Sequence, residues 1–217
     1  MLAALSRGFF CALAASRTAE SLASRFAMAS PTAFGRRFIA GEDVEAAIAV
    51  SRRLAAGGLL TEYDYVGESV TSLEEADGAA RAYLDAMRRI AGSGTERSVS
   101  LRLSQIGLDI DRAICTDNVR RMLALADKEG FFVRMDMERS PSVQTALDIL
   151  QTLREHGSRN LGVTLQAALL RSEADLELLV AMGVHVTLVK GQYREPPSVA
   201  YRRRADVDAA YGRMMER

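Results

Sequence analysis

The chain has 217 residues, 48% of them hydrophobic and 26% charged, which suits a globular protein with a sizeable core. Its 28 basic residues balance 28 acidic ones, so nucleic acid is not the expected partner. Two cysteines, Cys11 and Cys115, far apart and outside any CxxC pattern, exclude a disulfide scaffold and a zinc site and fit a reducing compartment.

Residues 1–41 stand apart. Arg7, Arg17, Arg25, Arg36 and Arg37 face one acid, Glu20, among many Ala and Ser, which reads as an N-terminal helical arm or an organelle-type leader. Its apolar start is broken by Arg7 and is too short to span a bilayer, which takes ~20 apolar residues. From residue 42 the period of the pattern alternates. Helix EDVEAAIAVSRRLAAGG precedes strand LLTEYDYVG, and helix SLEEADGAARAYLDAMRRI follows with Ser72 as N-cap. Strand SVSLRLSQIG leads to helix DRAICTDNVRRMLALADKEG, and strand FFVRMDME to helix SVQTALDILQTLREHG, where His156 marks the helix end. Strand LGVTLQA, helix SEADLELLVAMG, strand VHVTLVKG and a last helix from near Ser198 complete the series. Repeated strand-then-helix units imply α/β architecture with a parallel sheet and right-handed crossovers.

A doubly wound open sheet and a barrel both fit that order. The strands decide between them. Val99 and Leu101 alternate with Ser100 and Arg102, Val133 and Met135 with Arg134 and Asp136, Val163 and Leu165 with Thr164 and Gln166, Tyr63 with Glu62 and Asp64. One face is apolar and the other polar, whereas strands of a doubly wound sheet are apolar on both. The expectation is a parallel (β/α) barrel of TIM type. About five units are present where a full barrel takes eight and ~250 residues, so the barrel is expected to be incomplete. Chemistry in such folds gathers at the carboxyl ends of the strands. Those ends carry Asp64, Arg102, Asp136 with Glu138, Gln166, and Lys190-Gly191-Gln192-Tyr193. They hold no paired acid and base at fixed spacing, no nucleophile elbow and no metal-ligand cluster. Hydrogen bonding, charge and a glycine that admits close backbone approach suit a cofactor that carries the hard chemistry.

The blocks LLTEYDYVGESVTSLEEA, SVSLRLSQIGLDID, FFVRMDMERS, VTLQAALLRSEADL and VTLVKGQYREPPSVAY, in this order from about Phe38 onward, resemble the proline dehydrogenase family in its monofunctional bacterial form. The resemblance implies a barrel over residues 42–217. It implies FAD as cofactor and oxidation of L-proline to Δ1-pyrroline-5-carboxylate, with electrons passed to a membrane quinone. A cytoplasmic location with peripheral contact at the inner membrane follows from it, a mitochondrial one being the alternative. By resemblance Asp136 organises the catalytic site, and Thr187 stands where the family has an arginine aimed at the flavin. Arg102 (a lysine in the family), Tyr193 and Leu188 would shape the substrate pocket. Met137, Gln166, Val189, Lys190, Gly191 and Gln192 (usually alanine in the family) would contact the cofactor. No metal site is implied. The family's Thr-His segment and its carboxylate-clamping arginines have no counterpart in these residues, which leads to the expectation that the chain alone does not turn over proline. Two other readings stay open: a non-catalytic half-barrel, and a different flavin- or phosphate-binding (β/α) fragment.

Overall fold

A computed structural model describes residues 38–67 and 70–217. The expectation of an N-terminal arm or leader falls largely outside these residues. They divide into two compact units after Arg53. Helix α1 (Val44–Ala56) begins where the Asp43 carboxylate accepts the Ala46 N–H at 2.8 Å.

The second unit alternates strand and helix: β1 (Tyr63–Asp64), α2 (Leu73–Ala91), β2 (Ser98–Arg102), α3 (Arg112–Glu129), β3 (Phe132–Asp136), α4 (Ser140–Glu155), β4 (Leu161–Gln166), α5 (Ser172–Ala181), β5 (His185–Val189) and α6 (Arg204–Met215). All neighbouring strands are parallel and their spatial order is their chain order, β1 to β5. A doubly wound sheet reverses its order at a switch point; this one does not. The five strands form the wall of a parallel (β/α) barrel.

Local chemistry sets the helix boundaries. Ser72 caps α2 by accepting the Glu75 N–H at 3.2 Å, and the Glu75 carboxylate reaches back to the Thr71 N–H at 2.7 Å, a reciprocal pair of the capping-box kind. Asp111 caps α3 by accepting from Ala113 and Ile114, and Gly130 ends that helix with a φ of 72°. His156 caps the C-terminus of α4, with Nδ1 2.7 Å from the Thr152 carbonyl oxygen.

Three predicted boundaries differ. The strand expected over 59–67 pairs only at Tyr63–Asp64, so Leu59 and Leu60 stay exposed. The strand expected to run through Gly107 turns after Arg102 into a 3-10 segment, Leu103–Ile106, closed by Gly107 at φ 105°. The last helix starts at Arg204, not near Ser198, because the chain around Ser198 forms a turn on the Pro196 carbonyl and Ala200 then bridges Leu169.

The core lies on the apolar parity of the strands. Val99, Leu101, Val133, Met135, Val163 and Leu165 are buried together with Ala80, Met87 and Ile90 of α2, Val119, Met122 and Leu123 of α3, and Ile149, Leu150 and Leu153 of α4. At one end of the opposite face, Phe132 and His185 meet edge to face with ring centroids 5.4 Å apart. Gly162, between them in the ladder, leaves the room: a Cβ there would stand 2.5 Å from Phe132 Cζ.

Candidate active site

The polar parity assembles in register. Asp64 pairs with Ser100, Ser100 with Arg134, Arg102 with Asp136, Thr164 with Thr187, and Gln166 with Val189. The acids and arginines of β1 to β3 neutralise one another. Arg102 Nη2 lies 2.9 Å from Asp64 Oδ2. Arg134 pairs with Glu62 and donates from Nε to Asp136 Oδ1 at 2.9 Å. Thr164 donates to the same Asp136 oxygen at 2.9 Å, and Ser98 donates to Glu62 at 3.0 Å. Half-buried charges of this kind persist when paired and hydrogen-bonded. Burial raises the Glu62 carboxyl above the ordinary glutamate range; Arg134 opposes that rise, while Asp136 and Asp64 add to it. Ser100 Oγ, fully buried, has no hydrogen-bond partner among the described residues.

The β4–β5 side differs. Gln166 is buried and donates both amide hydrogens, to the Met137 and Glu138 carbonyls at 3.1 and 2.8 Å. Its Oε1 accepts no hydrogen bond from a described residue. Gly191 turns beside it with φ 106°, and a Cβ there would lie 3.0 Å from Gln166 Oε1 and 3.1 Å from Ala168 Cβ. Thr187 and Val189 are exposed on the same parity.

Beyond the strand ends lies a cavity of 840 Å³ lined by Arg102, Ser104, Gln105, Glu138, Gln192 and Tyr193, among others. The structure thus gathers the sequence candidates into two groups. Arg102, Gln192 and Tyr193 share the cavity. Asp136, Gln166, Thr187, Val189 and Gly191 share the polar face of the sheet and the turn that extends it.

Three candidates stand elsewhere. Leu188 has the opposite parity, in register with the core residue Leu165, so its backbone and not its side chain belongs to the polar face. Strand alternation dictates this once Thr187 and Val189 face inward. Lys190 is drawn to α6, with Nζ 2.6 Å from Asp208 Oδ1 and 5.9 Å from the Tyr211 ring centroid. The Met137 side chain is buried, and its carbonyl is what meets Gln166.

Sequence reasoning missed two members and gave a third no role. Glu138 was read only as a strand-end acid; it accepts the Ser104 N–H at 2.9 Å and the Ser104 hydroxyl. Gln105, read as strand, is buried; its Oε1 accepts from the Tyr83 hydroxyl at 2.8 Å and its Nε2 donates to the Gly67 carbonyl at 2.9 Å. Glu195 bonds Ser140 across 55 positions of sequence. The local pattern singles none of them out: Gln105 lies in a stretch, 98–107, that already mixes Ser and Arg with apolar residues.

Five parallel strands in chain order, with charged and amide groups collected at their carboxyl ends, define an enzyme-type (β/α)-barrel wall. The fold is shared with solved structures. A proline utilization A (PutA) from Bdellovibrio bacteriovorus inactivated by N-propargylglycine superposes with a TM-score of 0.76 at 21% identity, over 91% of this chain and 25% of that one. A Bradyrhizobium japonicum PutA variant gives a TM-score of 0.63 at 22% identity, over 90% of this chain and 23% of that one. The sequence places it further: the proline dehydrogenase family pattern matches residues 47–216. Proline dehydrogenase 2 of Bacillus subtilis strain 168 is 32% identical over 98% of this chain and 69% of its own length. The Deinococcus radiodurans proline dehydrogenase is 33% identical over 82% of this chain and 59% of its own length. The chain belongs to the proline dehydrogenase family.

Proposed function

We propose that this protein serves the FAD-dependent oxidation of L-proline to Δ1-pyrroline-5-carboxylate, the reaction for which its relatives are named. The observation that carries the reading is the family match across residues 47–216.

The residues present fit a flavin. Gly191 leaves space at the end of β5 that any side chain would fill, and the free Gln166 Oε1 beside it can accept an imide-type N–H. Val189 and Thr187 offer an uncharged exposed surface next to them. Gln166, Val189, Gly191 and Gln192 would hold the cofactor, with Met137 contributing through its carbonyl and Lys190 standing at the edge. FAD, when bound, supplies the acceptor for the hydride that leaves the carbon next to the proline nitrogen.

The other residues serve the substrate. Arg102 gives only Nη2 to Asp64 and keeps further donors for a carboxylate at the cavity. Asp136, fixed from two sides by Arg134 and Thr164, sets a negative charge near the positive charge that grows on the ring nitrogen as hydride departs. Tyr193 closes the cavity. Thr187, a neutral residue, adds a hydroxyl but no cation to this face. Electrons then pass to a membrane quinone by peripheral contact at the cytoplasmic face. No helix among the described residues is long and apolar enough to cross a membrane.

A visible absorbance scan of the purified protein with added FAD, repeated anaerobically with L-proline, tests the proposal. Loss of the flavin band on adding proline would support the proposal and overturn the expectation from the sequence that the chain alone does not turn over proline. A bound flavin that proline leaves oxidised removes the substrate assignment. Failure to retain flavin removes the cofactor assignment and favours the non-catalytic half-barrel.

A further inference from the structure

Tyr193 and Gln192 reach the cavity on a segment with few ties. The Lys190 carbonyl accepts the Ala168 N–H at 2.9 Å, and backbone bonding resumes at the Pro196 carbonyl, which accepts from Val199 and Ala200, before Leu170 N–H meets Val199 and Tyr201 N–H meets Ala168. Residues 191–195 make no backbone–backbone hydrogen bond to a described residue. What anchors them is the Glu195 side chain. Its two oxygens accept from one residue, Ser140, at 2.8 Å from the backbone N–H and 2.6 Å from the hydroxyl.

The anchor point has its own significance. α4 begins without a side-chain cap: Arg139 makes none, and Pro141 brings no N–H. Glu195 therefore supplies the missing acceptor and a negative charge at the positive end of the helix. Pro141 and Ser142, directly after the clamped residue, line the same cavity as Gln192 and Tyr193. The clamp joins two walls of one cavity.

We infer that Glu195 is a positioning residue: its grip on Ser140 sets where Tyr193 stands at the cavity. The functional consequence rests on the proline reading of that cavity; the positional one does not.

The chain contains no tryptophan, so Tyr193→Trp places a single fluorescent reporter at the cavity wall. In that background Glu195→Ala is expected to raise the acrylamide quenching constant about threefold and shift emission to the red as the segment comes free. Glu195→Gln keeps one acceptor and is expected to restore most of the protection, and Ser140→Ala, which keeps the backbone bond, to lose less. On the chain without the reporter, hydrogen exchange of the Gln192–Arg194 amides should quicken about tenfold in Glu195→Ala. Faster exchange at Ser140 alone, with Gln192–Arg194 and the reporter unchanged, would make Glu195 a helix cap and overturn the inference. If Glu195→Ala does not fold, the Ser140→Ala and Glu195→Gln variants decide it by the same two readouts. Neither readout uses flavin or proline, so an absent proline reaction counts against the functional reading and leaves the clamp standing. In FAD-loaded protein that does turn over, Glu195→Ala should raise KM for L-proline about fivefold with kcat little changed; an unchanged KM would overturn the functional half of the inference.

Discussion

The two halves of the polar face solve opposite problems. On β1 to β3 and at their margins nearly every charged group is committed to another: Asp64 to Arg102, Glu62 and Asp136 to Arg134. On β4 and β5 the groups are neutral, and what matters is left open: an amide oxygen without a donor, a glycine without a side chain, two exposed side chains at alternate positions. A pre-paired ion network resists rearrangement and fixes a field; an unspent surface waits for a flat partner. The contrast assigns substrate electrostatics to the first half and cofactor contact to the second. Variants in each half should therefore fail differently.

The largest effect is expected from Asp136→Ala. It removes the acceptor shared by Arg134 and Thr164 and leaves a partly buried guanidinium with Glu62 alone. The rate of flavin reduction by proline should fall about a hundredfold, the scale for losing one fixed electrostatic group from a catalytic site, while FAD affinity changes little. Stopped-flow absorbance measures the first and a fluorescence titration the second. Equal losses in both would erase the division between the halves. Gly191→Ala should do the reverse. Its Cβ would meet Gln166 Oε1 and Ala168 Cβ at a φ of 106°, where an L-residue costs about 1–2 kcal/mol. FAD should bind about tenfold more weakly, by the same titration, and the reduction rate of whatever flavin remains bound should be nearly unaltered.

Much of this contrast was legible in the residues, and the reason is period. Alternation of two in Val99 to Arg102, Val133 to Asp136 and Val163 to Gln166 separates core from polar face without knowledge of any neighbour, and the helix cap Ser72 acts within three residues of itself. The pairing of three acids with two arginines follows from the cost of burying charge. Local pattern carries less where a partner is distant. Tyr63–Asp64 meets β2 only at Val99 and Ser100, and the chain turns at Leu103 into a tight 3-10 segment that Gly107 closes. Lys190 sits beside Gly191 in sequence, yet Asp208 and Tyr211 of α6 determine its direction. Gln105, Glu138 and Glu195 gain their roles from residues 22 to 55 positions away. No periodicity encodes such a choice.

Glu62 offers the smallest and most selective test, because it belongs to the paired half and yet burial raises its carboxyl. Its carboxyl is raised in the folded protein, with burial outweighing the help from Arg134 and Ser98. The folded state thus binds this proton more tightly than the unfolded chain does. By linkage, the contribution of Glu62 to stability is greatest below the unfolded pKa and falls as pH rises through the window up to the folded pKa. Glu62→Gln removes the titration, so its stability should vary less with pH across that window than that of the parent. Urea denaturation at a series of pH values from just below to above the ordinary glutamate range measures it. If the parent and the variant show parallel pH dependence, Arg134 neutralises Glu62 completely, and the first half of the face is a fully compensated network with no member poised to take up a proton.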